Sequence, residues 1–120
     1  APHAGFTTGM PWIAVNPNYH RINVRRAQAD PDSILNFYRA LLALRQRTPA
    51  LCEGTLRLLL PEHPQLLVYE RAYEDAHVVV CCNFSDKAAT LPTDFTGQML
   101  LCSRCTGNIL APYGYFVLSV

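Results

Sequence analysis

Hydrophobic positions along this chain keep two different rhythms. In the segment DPDSILNFYRALLALRQRTPAL, Ile34, Leu35, Phe37, Tyr38, Leu41, Leu42 and Leu44 recur at helical spacing. At about 100° per residue they cover an arc of roughly 180°. An ordinary surface helix needs an apolar stripe only a little over about 100° wide. The pattern predicts a helix over about 32–47 that is buried on more than one side. Asp30, Asp32 and Ser33 are candidate N-caps, and Pro31 suits the first turn. Arg45 and Arg47 sit near the C-terminus, where cations suit the helix dipole, and Pro49 stops the helix. Arg45 falls inside the apolar arc and is expected to be paired, because a lone buried guanidinium is very costly.

From about 51 to the end the rhythm shortens. TLRLLL, QLLVYERA, HVVVCCNF, KAATL, QMLLCS and GYFVLSV are short runs separated by PEHP, Tyr73-Glu74-Asp75, Ser85-Asp86, Pro92-Thr93-Asp94 and Thr106-Gly107-Asn108. Such spacing without a second long helical pattern predicts a mainly β fold, an antiparallel β-sandwich of six to eight strands. YERAYEDAHVVV reads as a hairpin with an acidic tip. In HVVVCCNF, Val78, Val80 and Cys82 should share one face and Val79 and Cys81 the other. Both faces are apolar, so this should be a central strand.

Before residue 30 neither rhythm appears. The first 24 residues hold three Pro, two Gly, three Asn and two Thr, together with Phe6, Trp12, Ile13, Val15 and Tyr19. A disordered tail would be poor in such apolar residues. A long loop over 1–30 that carries them needs a surface to lie on, and loops of this length usually serve function. Phe6, Trp12 and Tyr19 could stack on sugar rings, or could simply fasten the loop to a scaffold.

Composition narrows the field. Half of the 120 residues are hydrophobic and the net charge is +1, with no basic or acidic run. Nucleic acid and charged membrane surfaces are therefore not expected partners. LRLLL and HVVVCC are far too short to span a bilayer. No signal peptide stands at the start, and Ala1 in place of Met suggests a processed or truncated terminus. Five cysteines, Cys52, Cys81, Cys82, Cys102 and Cys105, are an odd number with two adjacent, which reads as reduced thiols in a cytoplasmic protein.

Candidate chemistry is sparse. Asp30 and Asp32 fit helix caps, Glu74, Asp75, Asp86 and Asp94 fit turns, and Glu53, Glu62 and Glu70 flank or alternate on strands. No pair of them is marked as the two carboxylates that glycoside hydrolysis requires. There is no G-x-S-x-G and no P-loop. Cys102-Ser103-Arg104-Cys105 is a C-x-x-C, but a zinc site needs a second pair. Cys81 and Cys82 are adjacent on a strand and point to opposite faces. His3, His20, His63 and His77 are scattered. No catalytic residue, metal or cofactor is expected from these residues.

G-F-T-x-G-x-P-W at the start, V-N-P-N-Y after it, Y-R-x-L-x-x-L-R-x-x-x-P-A-L in the helix and L-x-P-Y near the end are jointly specific. Together they resemble the closing section of family 13 glycoside hydrolases, in the α-glucosidase, oligo-1,6-glucosidase and trehalose-6-phosphate hydrolase branch. The resemblance covers essentially the whole chain. It implies that residues 1–50 are the end of a (β/α)8 barrel, with the loop on its substrate face and the eighth barrel helix behind. Residues 51–120 would be the C-terminal β-sandwich. It also implies that the nucleophilic Asp, the acid/base Glu and the stabilising Asp lie upstream, so that this chain alone is inactive. Phe6, Trp12 and Tyr19 would then lie beside an α-gluco-oligosaccharide held by the parent enzyme. CSRC departs from the polar turn usual in relatives. The expected partner is the missing barrel. Without it the chain should self-associate, fold its first 24 or so residues back so that Phe6, Trp12, Ile13 and Val15 cover Phe37, Leu41 and Leu44, or leave those residues mobile. The competing reading is a free-standing β-sandwich module that binds carbohydrate or protein.

Overall fold

A computed structural model describes all 120 residues. They form two compact units, Ala1–Ala43 and Leu44–Val120.

The first unit is less irregular than its sequence suggests. A tight turn with His3 and Ala4 in left-handed backbone, φ 52° and 55°, spans Pro2–Gly5, a single 3-10 turn spans Pro17–His20, and a short helix, α1, spans Val24–Ala29. The expected loop over 1–30 is therefore interrupted by helical turns. VRRAQA offers no apolar period to detect, yet the Asn23 side chain caps it, accepting from the Arg26 amide at 3.0 Å. The long helix, α2, spans Ile34–Arg47. Ser33 is its cap: its Oγ accepts from the Asn36 amide at 3.2 Å, and its carbonyl accepts from Phe37 at 2.9 Å. The same hydroxyl donates to the Ala27 carbonyl at 2.6 Å. Asn36 shares its amide hydrogens among the carbonyls of Ala27, Gln28 and Asp30, at 3.1, 3.2 and 2.7 Å. These bonds fasten the end of α1 to the start of α2. Asp30 shapes the intervening turn, with Oδ1 accepting from the Asp32 amide at 3.0 Å, and Asp32 caps nothing.

The apolar arc of α2 is not enclosed on two sides here. Ile34, Tyr38 and Leu42, one turn apart, are 77%, 57% and 55% exposed, and Leu44 is the buried residue of the helix. Within this chain Arg45 also lacks the partner expected for it. Arg45 is exposed and has no acidic partner; its Nη1 lies 3.7 Å from Cys52 Sγ. A hydrated guanidinium needs no counter-ion, so the requirement lapses with the burial. Fold-back does not occur either: Phe6, Trp12 and Ile13 remain 86%, 95% and 64% exposed.

Pro49 lies just past α2, as expected, and also opens a further short helix, α3, Pro49–Glu53, at the position where its missing N–H costs nothing. Six antiparallel strands follow: β1 Thr55–Leu58, β2 Leu66–Tyr73, β3 Ala76–Asn83, β4 Ala89–Thr90, β5 Gln98–Thr106 and β6 Ile109–Ser119. The fold is mainly β and antiparallel, as the spacing predicts. The strands share one curled hydrogen-bonded sheet, in which β1, β2, β3 and β6 run side by side and β4 and β5 both pair with β6.

Alternation along β3 divides the core in two. Val79 and Cys81 face a cluster with Leu66, Val68, Leu110, Phe116 and Leu118, closed over by Ala89 and Leu91. Val78 and Val80 face the other way, onto Val117, Leu44 and Ala50, with Cys82 packed beside them. The predicted face assignment and the central position of β3, between β2 and β6, both hold. KAATL contributes only two strand residues, because Pro92 follows at once and has no amide for a ladder. CSRC is not a turn; β5 continues through it to Thr106, and the chain reverses at Gly107, whose φ is 56°. No helix of the chain is long and apolar enough to cross a membrane.

Asn83 ties the sheet to its connections. It is 3% exposed, and its amide nitrogen donates to the carbonyls of Lys87, Leu110 and Ala111 at 2.7, 3.2 and 3.1 Å. Its Oδ1 accepts from the Ser85 amide at 3.0 Å and the Ser85 hydroxyl at 2.8 Å.

Candidate functional site

The three aromatic residues singled out in the sequence come together. Phe6, Trp12 and Tyr19 line one open cavity of about 540 Å³ in the first unit. Short polar bonds set the loop that carries them. Thr7 Oγ1 accepts from the Gly9 amide at 3.1 Å, and Asn16 Oδ1 accepts from the Asn18 amide at 3.1 Å. The second of these caps the turn that presents Tyr19. Tyr19 is half-buried against His20, with ring centroids 3.9 Å apart. Trp12 and Phe6 stand almost entirely in solvent, as flat apolar platforms.

Met10, Ile13 and Val15 add to the apolar lining, and Thr7, Asn16 and Asn18 add polar groups. Met10 was not marked by its sequence context, since a lone Met between Gly and Pro carries no periodic signal. No carboxylate, histidine or cysteine lines the cavity. It can stack on a ring and hydrogen-bond to hydroxyls, but it has no group to shuttle a proton near neutral pH.

A cross-strand charge cluster lies in the β unit, and sequence spacing did not reveal it. Glu70 on β2 takes Arg57 from β1 on Oε2, at 2.9 and 3.1 Å, and His77 from β3 on Oε1, at 3.1 Å. The Arg57 hydrogen bond, then the His77 one, hold the Glu70 carboxyl below its usual range. Both carboxylate oxygens are engaged, so Glu70 joins three strands.

The cysteines spread over both faces. Cys81 is fully buried and burial pushes its thiol up to about 12. Cys82, on the opposite face, is also raised by burial. The two cannot hold one metal, and no three His, Cys, Asp or Glu side chains converge anywhere.

Comparison with known proteins accounts for both units. Residues 1–54 match the family described as Alpha amylase, catalytic domain, and residues 56–102 match Maltogenic Amylase, C-terminal domain. The chain is 48% identical over 87 residues to the probable oligo-1,6-glucosidase 2 of Bacillus subtilis (strain 168), an alignment covering 72% of this chain and 16% of that protein. It is 42% identical over 115 residues to the oligo-1,6-glucosidase of Heyndrickxia coagulans, covering 92% and 21%. Among solved structures, the trehalulose synthase MutB from Pseudomonas mesoacidophila MX-45 superposes with a TM-score of 0.85 at 33% identity, over 99% of this chain and 23% of that one. The chain thus spans about a fifth of the length of the proteins it matches.

Proposed function

The chain belongs to the α-amylase family, the family 13 glycoside hydrolases, and from that premise we propose that it is the closing portion of an α-glucosidase-like enzyme acting on α-glucosidic bonds of oligosaccharides. In this reading residues 1–50 end the barrel domain and residues 51–120 form the C-terminal β domain, which supports the barrel and takes no part in bond cleavage. Phe6, Trp12 and Tyr19 stand beside the sugar in the assembled enzyme. The enzyme works in the cytoplasm, consistent with five free thiols.

One observation carries the reading. The unit that matches a catalytic domain leaves Phe6, Trp12, Ile13, Ile34, Tyr38 and Leu42 more than half exposed. Monomers rarely tolerate so much apolar surface uncovered. A barrel is the covering such a segment fits, and the catalytic carboxylates then come from that barrel.

The test compares the 120-residue chain with the full-length protein encoded around it. The chain alone should release no glucose from isomaltose, whereas the full-length protein should. In the full-length protein Trp12→Ala should lower kcat/KM for isomaltose about tenfold or more if the ring packs on substrate. Isothermal titration of the chain alone with maltose or isomaltose should show no binding. Millimolar or tighter binding there, with an inactive full-length protein, would instead establish a carbohydrate-binding module.

A further inference from the structure

On a regular strand the two ends of a C-x-x-C point to opposite faces, because their separation is odd. The sheet breaks this parity at Arg104. Pairing between β5 and β6 jumps from Ser103 opposite Tyr115 to Cys105 opposite Leu110, so that Arg104, with φ 53°, stands against the four unpaired residues Ala111, Pro112, Tyr113 and Gly114 of β6. Such a bulge re-aims every side chain beyond it. Cys102, opposite Phe116, and Cys105, opposite Leu110, therefore emerge on the same face, that of Phe116 and Leu110. Both border one cleft, together with Leu91, Phe95 and Met99.

The bulge is supported by its neighbours. The Arg104 guanidinium reaches the Pro112 carbonyl at 3.5 Å. Opposite it, Gly114 leaves the space the bulged backbone needs: a Cβ there would come within 2.5 Å of the Arg104 carbonyl oxygen. Access to the two thiols is unequal. Cys102 is exposed and Cys105 half-buried. Burial, then the side-chain interaction with Cys102, pushes the Cys105 thiol up. Cys81, the nearest other thiol on this face, is shut inside the core.

We propose that Cys102 and Cys105 are a vicinal dithiol that closes reversibly into a disulfide by exchange with a low-molecular-weight disulfide. The Cys102 thiolate attacks one sulfur of the small disulfide; that S–S bond breaks, a mixed disulfide forms at Cys102, and one small thiolate leaves. Cys105, losing its proton to solvent, attacks the Cys102 sulfur and expels the second small thiolate. The protein pair loses two electrons and two protons, and the small disulfide becomes two thiols. The order follows from exposure, since the accessible sulfur meets the reagent and the sheltered one resolves the adduct.

Glutathione buffers of stepped oxidised-to-reduced ratio test this on the full-length protein. Samples are quenched in acid, alkylated, digested and mapped by mass spectrometry. The Cys102–Cys105 disulfide should rise with the two-electron dependence on buffer potential and vanish on adding dithiothreitol. Cys105→Ser should accumulate a glutathione adduct at Cys102. In Cys102→Ser, uptake at Cys105 should be slower by about tenfold or more. A stable Cys102 adduct in the unsubstituted protein, full alkylation of both thiols in the most oxidising buffer, or a disulfide to Cys81, Cys82 or Cys52 would overturn the proposal. The mapping on the unsubstituted protein decides the matter whether or not the serine variants fold.

Discussion

Asn83 is the single side chain on which most backbone depends. Its amide nitrogen serves three carbonyls from two separate stretches of chain, all within or beside the core. Asn83→Ala strands those carbonyls and releases Ser85, so a loss of about 2–3 kcal/mol is expected, read from the shift of the urea midpoint. Ser33 is the corresponding anchor of α2. Ser33→Ala should cost about 1 kcal/mol, while Asp32→Ala should be near neutral because Asp32 makes no cap. Equal effects from the two would remove the assignment. Glu70 adds a dependence on pH. Its carboxyl lies below the ordinary value of 4.5 in the folded protein, so the folded state binds its proton less readily than the unfolded chain does. The stability this contributes is fully present above about pH 4.5 and is lost as pH falls through the depressed folded value. Unfolding measured across that range should show a flatter acid limb in Glu70→Gln; an unchanged slope would dismiss the linkage. Ser33 was legible as one of several caps, because its residue type and place announce it. Asn83 and Glu70 were not, because their partners come from strands whose register a sequence does not state.

Among the elements, the β2–β3 hairpin holds a residue poorly matched to its backbone. Glu74 turns the chain with φ 51°. A left-handed conformation costs a side-chain-bearing residue about 1 kcal/mol or more, and glycine gives back only part of that in entropy. Glu74→Gly should therefore stabilise by about 0.5 kcal/mol, seen as a higher urea midpoint. Gly114 is the opposite case. Gly114→Ala drives a methyl toward the carbonyls of Arg104 and Ala111, at 2.5 and 3.0 Å, and should destabilise by about 2–4 kcal/mol. Strands, their alternation and the hairpin were legible, since period-two apolar runs and turn residues report directly on burial. The short helix Val24–Ala29 was not, because it is held by one Asn cap and presents no apolar face. The bulge at Arg104 was hidden too: it is a register event between two strands, and CSRC looks the same with or without it.

At the scale of the whole molecule, the two family matches meet between residues 54 and 56, yet the compact β unit begins at Leu44. The apolar arc of α2 was readable to the residue, but not what covers it, since a sequence shows that a face is apolar and not which surface meets it. Replacing Ile34, Tyr38 and Leu42 together by Ser should leave the melting temperature of the 120-residue chain nearly unchanged. In the full-length protein it should lower that temperature by several degrees; equal effects in both would deny those side chains a partner in the barrel. Leu44 and Ala50 have a different bearing on history. They lie in the stretch that matches the catalytic domain, but they plug the sheet at Val78, Val80 and Val117. A gene rearrangement that joined this β module to a foreign barrel at residue 55 would inherit the socket without its plug. Crossovers that survive selection should fall upstream of Leu44, so the heritable unit of exchange is longer than the domain it delivers.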